Sequence, residues 1–386
     1  MKHIEFFIFF GIVIIIYSAI NYYIFARGAQ ALPSLPWFKI SYNILFGFLF
    51  SSFIIHVILV RLYPSSLCSI FTWSGFFWMG AMMYFFLGVL LIDIFRLVNH
   101  FFPFFPEFLY KNYSLTKQIT AGIMLLGVLI TLITGYINAS YPQLKHLNIT
   151  INKKVGGLNK LRIVAASDIH LGSIINKKDS QKLVDRINAL NPDLILFPGD
   201  ILDESVEPVL KFKSDEPFKN LKSKYGVFAV TGNHEYISGI GTTAPHLESL
   251  GISLLQDSVA LINNEIYIVG RKDRASKQFA KQNRKPLDEI MNGIDKTKPI
   301  ILMDHQPIGL GEAEQNGVDF QLSGHTHHGQ LWPISYITNK IYEVSWCYLK
   351  KGNTQYYISS GYGTWGPPVR IGNHPELLLI ELEFGE

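Results

Sequence analysis

Cysteine is nearly absent: Cys68 and Cys347 are the only two in 386 residues. One lies in the apolar first third and the other stands alone in the polar remainder, so no disulfide can close within that remainder. No cysteine adjoins the histidine and carboxylate clusters, which argues against a thiolate zinc site or an iron–sulfur cluster there. Charge is sparse too, at 17% of residues. Seven of the 34 basic and three of the 30 acidic residues fall within residues 1–138, which leaves 27 of each sign for residues 139–386. That remainder carries no net charge and lacks the basic excess of a protein that grips a nucleic-acid duplex. Internal repeats and low-complexity tracts are missing as well.

What the first 138 residues have is long apolar runs. Ile4 to Phe25, Phe38 to Val60, Phe71 to Phe95 and Ile119 to Ile137 are each long enough to cross a ~30 Å hydrocarbon core as a helix. They are apolar all round, not on one face, so buried helices of a soluble core are excluded. The first run is too long for a signal peptide and three more follow it. Four spans put Lys2, Arg61 and Lys145 on one side of the bilayer and Arg27, Lys39, Arg96, Lys111 and Lys117 on the other. The positive-inside tendency then places the C-terminal part outside the cytoplasm. Two ionisable groups lie inside spans, His56 and Asp93; both read as structural, with Asp93 reaching Arg96 one turn on. The run Phe101–Pro106 carries two prolines and cannot be regular helix throughout, which suits a segment at the membrane surface.

Residues 139–158 read as a linker and residues 159–386 as a domain large enough for its own core. Strand patterns occur at Leu161–Ala166, Leu194–Phe197, Val227–Val230, Ile266–Val269, Ile300–Met303, Phe320–Leu322, Tyr356–Ile358 and Leu377–Glu381. Leu183, Ile187 and Leu190 share one stripe of a helix over Gln181–Leu190. The alternation predicts an α/β domain with its functional loops at strand ends.

Five polar clusters stand just after such strands: Asp168-Ile169-His170, Gly199-Asp200, Gly232-Asn233-His234-Glu235, His305, and Gly324-His325-Thr326-His327. A lone Asp or His after a strand is ordinarily a cap or a surface group. Seven in order at strand ends instead compose a ligand set for two adjacent divalent ions. One residue between Asp168 and His170 lets both reach one ion, and a carboxylate such as Asp200 has two oxygens with which to bridge two. Mixed oxygen and imidazole donors suit Mn²⁺ first, with Zn²⁺ or Fe as alternatives, over Ca²⁺ or Mg²⁺. Two ions less two carboxylates and a hydroxide leave a positive site, attractive to phosphate. Glu235 fits support of a ligand better than ligation.

This ordered set resembles the calcineurin-like metallophosphoesterase family, whose pattern runs D-x-H, G-D, G-N-H-[DE], a lone His and G-H-x-H. The resemblance covers roughly residues 160 to 385. It implies that Asp168, His170 and His327 bind the first metal and that Asn233, His305 and His325 bind the second. Asp200 would bridge the two, and His234 would be the acid that faces the leaving group. It also implies two stacked mixed β-sheets flanked by helices, C-terminal to the all-α membrane region. The tail Gly361-Tyr362-Gly363-Thr364-Trp365-Gly366-Pro367-Pro368-Val369-Arg370, with Pro375-Glu376, resembles the membrane-associated branch, which includes bacterial phosphodiesterases and lipid-phosphate hydrolases.

The expected activity is therefore hydrolysis of a phosphodiester or pyrophosphate, in a lipid or envelope-derived substrate held near the bilayer; a nucleotide-linked lipid A precursor is one specific possibility. A nuclease or a protein phosphatase would use the same metal site, although no nucleic-acid partner is expected, and a non-catalytic scaffold would ordinarily lack ligands that this chain has. Arg271 and Arg274, in a lysine-rich run after a strand, and Arg370 in the tail are candidate substrate contacts. His328 either joins them or faces solvent. Oligomeric state is not legible.

Overall fold

The computed structural model describes residues 2–62, 66–203 and 205–385. The chain divides into two compact units, Met1–Gly135 and Tyr136–Glu386.

Among the described residues, the first unit holds α1 (Lys2–Ala29), α2 (Pro36–Leu62), α3 (Ser66–Phe101), the single turn α4 (Phe108–Lys111) and most of α5 (Tyr113–Ser140). Four of these are long and apolar enough to cross a membrane, as their composition predicts. Small residues let α2 and α3 approach closely: a Cβ on Gly75 would stand 2.8 Å from the backbone of Phe53. Polar groups pair within the unit. Trp78 donates to Asn21 Oδ1 at 2.9 Å and His56 Nδ1 lies 2.9 Å from Thr72 Oγ1. Asp93 meets Arg96 at 3.3 Å as expected, but its nearer partner is Arg27 of α1 at 2.7 Å, with the Tyr23 hydroxyl at 2.5 Å. The i,i+3 spacing was visible in sequence, whereas the partner on another helix was not.

Among the described residues the second unit contains two six-stranded mixed sheets. The first runs β1 (Gln143–Ile151), β12 (Glu376–Phe384), β2 (Lys160–Ala165), β3 (Leu194–Pro198), β4 (Val227–Val230), β5 (Ile252–Leu254). The second runs β10 (Cys347–Lys351), β11 (Thr354–Ile358), β9 (Phe320–Ser323), β8 (Ile300–Met303), β7 (Ile266–Gly270), β6 (Ser258–Ile262). Period-two alternation splits each central strand between two cores. Leu194 and Leu196 face the core shared with Ile301, Met303 and Phe320 between the sheets, while Ile195 and Phe197 face the core under α6 (Lys177–Ala189). Ile300 and Leu302 point the other way, into a third core on the outer side of the second sheet. This explains why these strands read as continuous apolar runs: both faces are covered.

One boundary differs from expectation. Gln143–Ile151, expected within a linker, is β1 and pairs in parallel with the whole of β12. Its first four residues are exposed, so its sequence gives little alternation, and only the long strand beside it makes it a strand. The short strands β5, β6 and β10 were likewise missed.

Candidate metal centre

β2, β3 and β4 are adjacent and parallel, and so are β8 and β9. Their C-terminal ends carry Asp168 and His170, Asp200, Asn233 and His234, His305, and His325 and His327, so the sheet order converts distant motifs into one rim. Asp168, His170, Asp200, His325 and His327 all have positive φ, between 44° and 73°. Such conformations cost energy for residues with a Cβ and gather where function holds them. The loops leave no room for larger neighbours: a Cβ on Gly232 would lie 2.0 Å from Asp200 Oδ1, and one on Gly324 2.3 Å from Asp168 Oδ2.

Each carboxylate fastens the next loop. Asp168 accepts from the His325 amide at 2.9 Å, and Asp200 Oδ1 accepts from the His234 amide at 2.9 Å. Glu235 is fully buried and accepts four backbone amides, those of Asp200, Ile201, Leu202 and Gly232, at 2.7–3.1 Å. It thereby sets the turn that presents Asp200, the supporting role its position suggests.

Among the described residues three groups have donor atoms within 4.8 Å of one another: Asp168, His170 and His327; Asp200, His305 and His325; and His170, Asp203 and His234. In the first, His170 Nε2 and His327 Nε2 face each other at 3.0 Å. In the second, Asn233 Oδ1 lies 2.9 Å from His325 Nδ1 and 3.3 Å from His305 Nε2, and His305 Nε2 lies 3.1 Å from Asp200 Oδ2. Converging imidazole nitrogens with two buried carboxylates fit a pair of divalent ions. The electrostatics agree. Burial pushes His325 down to about 3 and His327 well below the usual range, in the latter with help from Arg370, so both are the neutral imidazoles a metal requires. Against the effect of burial, Asp200 and then Asp168 hold His305 well above its ordinary value. That pocket calls for a cation.

Asp203 was not anticipated. Its carboxylate lies 3.2 Å from His170 Nδ1 and 3.2 Å from His234 Nδ1, and its backbone oxygen is 2.7 Å from the latter. Only the neighbouring Gly199-Asp200 pair could have drawn attention to it. Although burial opposes the charge, Asp200 and Asp203 push the His234 imidazole up to about 10. With Nδ1 occupied by Asp203, His234 Nε2 is the nitrogen left to serve the site.

Two of the four expected substrate contacts, Arg370 and Arg271, are buried. Arg370 is buried; its two terminal nitrogens reach the carbonyls of His327, Ser360, Gly361 and Gly363 and lie 3.0 Å from His327 Nδ1. These contacts are all within the protein, and one of them braces the His327 ring. Arg271 is also buried, between Asp304 at 3.4 Å and Glu312 at 2.5 Å, and Arg284 pairs with the same Asp304. Desolvated guanidinium needs carboxylates, and this network consumes it. Arg274 donates to the Ile308 carbonyl at 2.9 Å. His328 Nδ1 lies 2.8 Å from Ser345 Oγ, beside the Trp346 ring. Aromatic rings border the site: Trp365 stands 6.4 Å from His234 and Tyr342 6.0 Å from His325.

The calcineurin-like phosphoesterase family model matches residues 161–329. An uncharacterized metallophosphoesterase of Aquifex aeolicus is 31% identical over 58% of this chain and 85% of its own. A transmembrane protein with metallophosphoesterase domain from Danio rerio is 29% identical over 92% of this chain and 83% of its own. The UDP-2,3-diacylglucosamine pyrophosphatase LpxG of Chlamydia trachomatis is 24% identical over 70% of this chain and 98% of its own. The chain spans 65% of the length of the Helicobacter pylori metallophosphoesterases it matches. With its ligand order and two-sheet architecture, the chain belongs to the calcineurin-like metallophosphoesterase family.

Proposed function

We propose that this membrane protein hydrolyses a phosphodiester or pyrophosphate bond in a lipid or envelope-derived substrate. The observation that carries the reading is Asp200, held between His305 of one ligand group and the amide of His234. That position suits a bridging carboxylate next to a proton donor. Asp168, His170 and His327 would hold one ion, and Asn233, His305 and His325 the other, with Asp200 shared. Two such ions, Mn²⁺ foremost, would supply Lewis-acid charge to the phosphoryl oxygens and a nucleophile at neutral pH. The chain's own residues do the rest. Glu235 fixes the Asp200 turn, Arg370 fixes His327, and Asp203 orients His234 so that Nε2 delivers a proton to the departing oxygen.

Support for a lipid-linked substrate comes from the apolar helices and from the Chlamydia trachomatis relative, named for a pyrophosphate that carries two acyl groups. The test assays the full chain in vesicles against acylated phosphodiesters and pyrophosphates, duplex DNA and a phosphopeptide, alongside lipid profiling of a deletion strain. Turnover of the lipid substrates and one accumulating phospholipid species are expected. Preferential turnover of DNA or phosphopeptide would replace this reading with a nuclease or a protein phosphatase.

The same proposal places the metal centre outside the cytoplasm, on the charge bias of the loops. An alkaline phosphatase fused after Glu386 should be active and a fluorescent protein there dark; the opposite pair of results reverses the orientation.

A further inference from the structure

The segment that follows the last metal ligands is apolar where it meets solvent. Trp332, Tyr336, Ile337 and Ile341 are each between 51% and 67% exposed, and the Ser335–Ile341 helix buries none of its residues. A helix with no buried residue gains little from packing, and its exposed apolar side chains suit a further partner. The segment is nonetheless firmly seated. Trp332 donates its amide to the Ile371 carbonyl at 2.8 Å, and Ile371 returns one to Gln330 at 2.9 Å. The Gln330 side chain donates to the Trp365 and Pro367 carbonyls.

The other side of that 370–374 loop is tied to the end of α5. Residues Tyr136–Ser140, the last turn of that apolar helix, belong to the globular unit. There Asn138 Nδ2 donates to the carbonyls of Arg370 at 2.9 Å and Asn373 at 2.7 Å, and Asn138 Oδ1 meets His374 Nδ1 at 2.5 Å. The span's last turn and the Trp332 backbone therefore grip neighbouring carbonyls, 370 and 371, of one short loop. Tyr136, Ile137 and Tyr141 are exposed around that turn, and tyrosines gather where a span leaves the hydrocarbon for the headgroups.

We infer that Trp332 and the Ser335–Ile341 helix dock into the headgroup and acyl boundary of the bilayer that the chain itself spans. Lys340 suits anionic headgroups, and the aromatic and branched side chains suit shallow burial. This surface continues directly into the metal centre: Ser345 bonds to Asn339 of the helix and to His328, and Tyr342 packs on His325. Docking would open the centre onto the lipid surface. The inference rests on exposure and hydrogen bonding, independently of the reaction proposed above.

The test uses the full chain with Cys68→Ala and Cys347→Ala, spin-labelled at Ile337→Cys or Ile341→Cys, in phosphatidylcholine–phosphatidylglycerol vesicles. Leu210→Cys, also exposed, is the reference position. Both helix labels should collide several-fold more with oxygen, relative to a nickel chelate, than the reference label does. A ratio equal to that at Leu210→Cys overturns docking. Dipolar broadening that vanishes on dilution with unlabelled protein overturns it too, since a second copy would then cover the helix. All three positions are exposed, so labelling leaves the cores intact; circular dichroism and metal content check each variant.

Discussion

Asp203 holds His234 by two oxygens, a carboxylate at 3.2 Å and a backbone carbonyl at 2.7 Å, both on Nδ1. That leaves the opposite ring nitrogen, Nε2, as the one to carry the proton in the proposed reaction. A leaving-group acid matters in proportion to how poorly the leaving oxygen departs without a proton. His234→Ala should therefore slow an alkyl phosphodiester by roughly 10²-fold more in kcat than a nitrophenyl diester. Metal content should stay near wild type. Equal slowing of both substrates with loss of metal would make His234 a ligand or its support. Asp203→Asn should show the same substrate bias more weakly, about 10-fold.

Asp200→Asn removes the nearest of the buried carboxylates that favour a cation at His305. One or both ions should be lost, with activity down by at least ~10³-fold. The fold should survive, because Asp200 lies beyond β3 and outside the three apolar cores. Elemental analysis and circular dichroism check both halves; full activity with unchanged metal would sink the two-metal reading.

Arg370 is expected to act through His327. Arg370→Met leaves buried carbonyls without donors and should cost on the order of 3 kcal/mol of stability. Metal occupancy should fall as the His327 ring loses its brace. Arg370→Lys should not rescue either property, because one ammonium cannot serve the carbonyls on both sides of a planar fork. A raised KM with normal stability and metal content would return Arg370 to the substrate.

Arg271→Ala should destabilise the domain by about 3–5 kcal/mol through the carboxylates it abandons, with KM unchanged. Thermal unfolding and steady-state kinetics distinguish this from the substrate grip that a cationic loop suggests in sequence.

The candidate ligand residues were legible because each motif is short and local: a strand end followed by Asp-x-His or Gly-His-x-His carries its chemistry within a few residues. Strand alternation and all-round apolar helices were legible for the same reason, since their periods are set by backbone geometry. Groups whose meaning depends on distant segments were not. Arg370 and Arg271 are charged residues in polar loops, and nothing near them in sequence says that they are buried. Asp203 finds His170 and His234 only once β2, β3 and β4 lie side by side, and β1 exists only because β12 runs beside it. Sequence alone thus determined which side chains could hold metal and which segments could cross a bilayer. Tertiary structure decided which charged groups brace those ligands and where the apolar surface lies, because burial and hydrogen-bond partners are properties of the assembled sheets and not of any one stretch of chain.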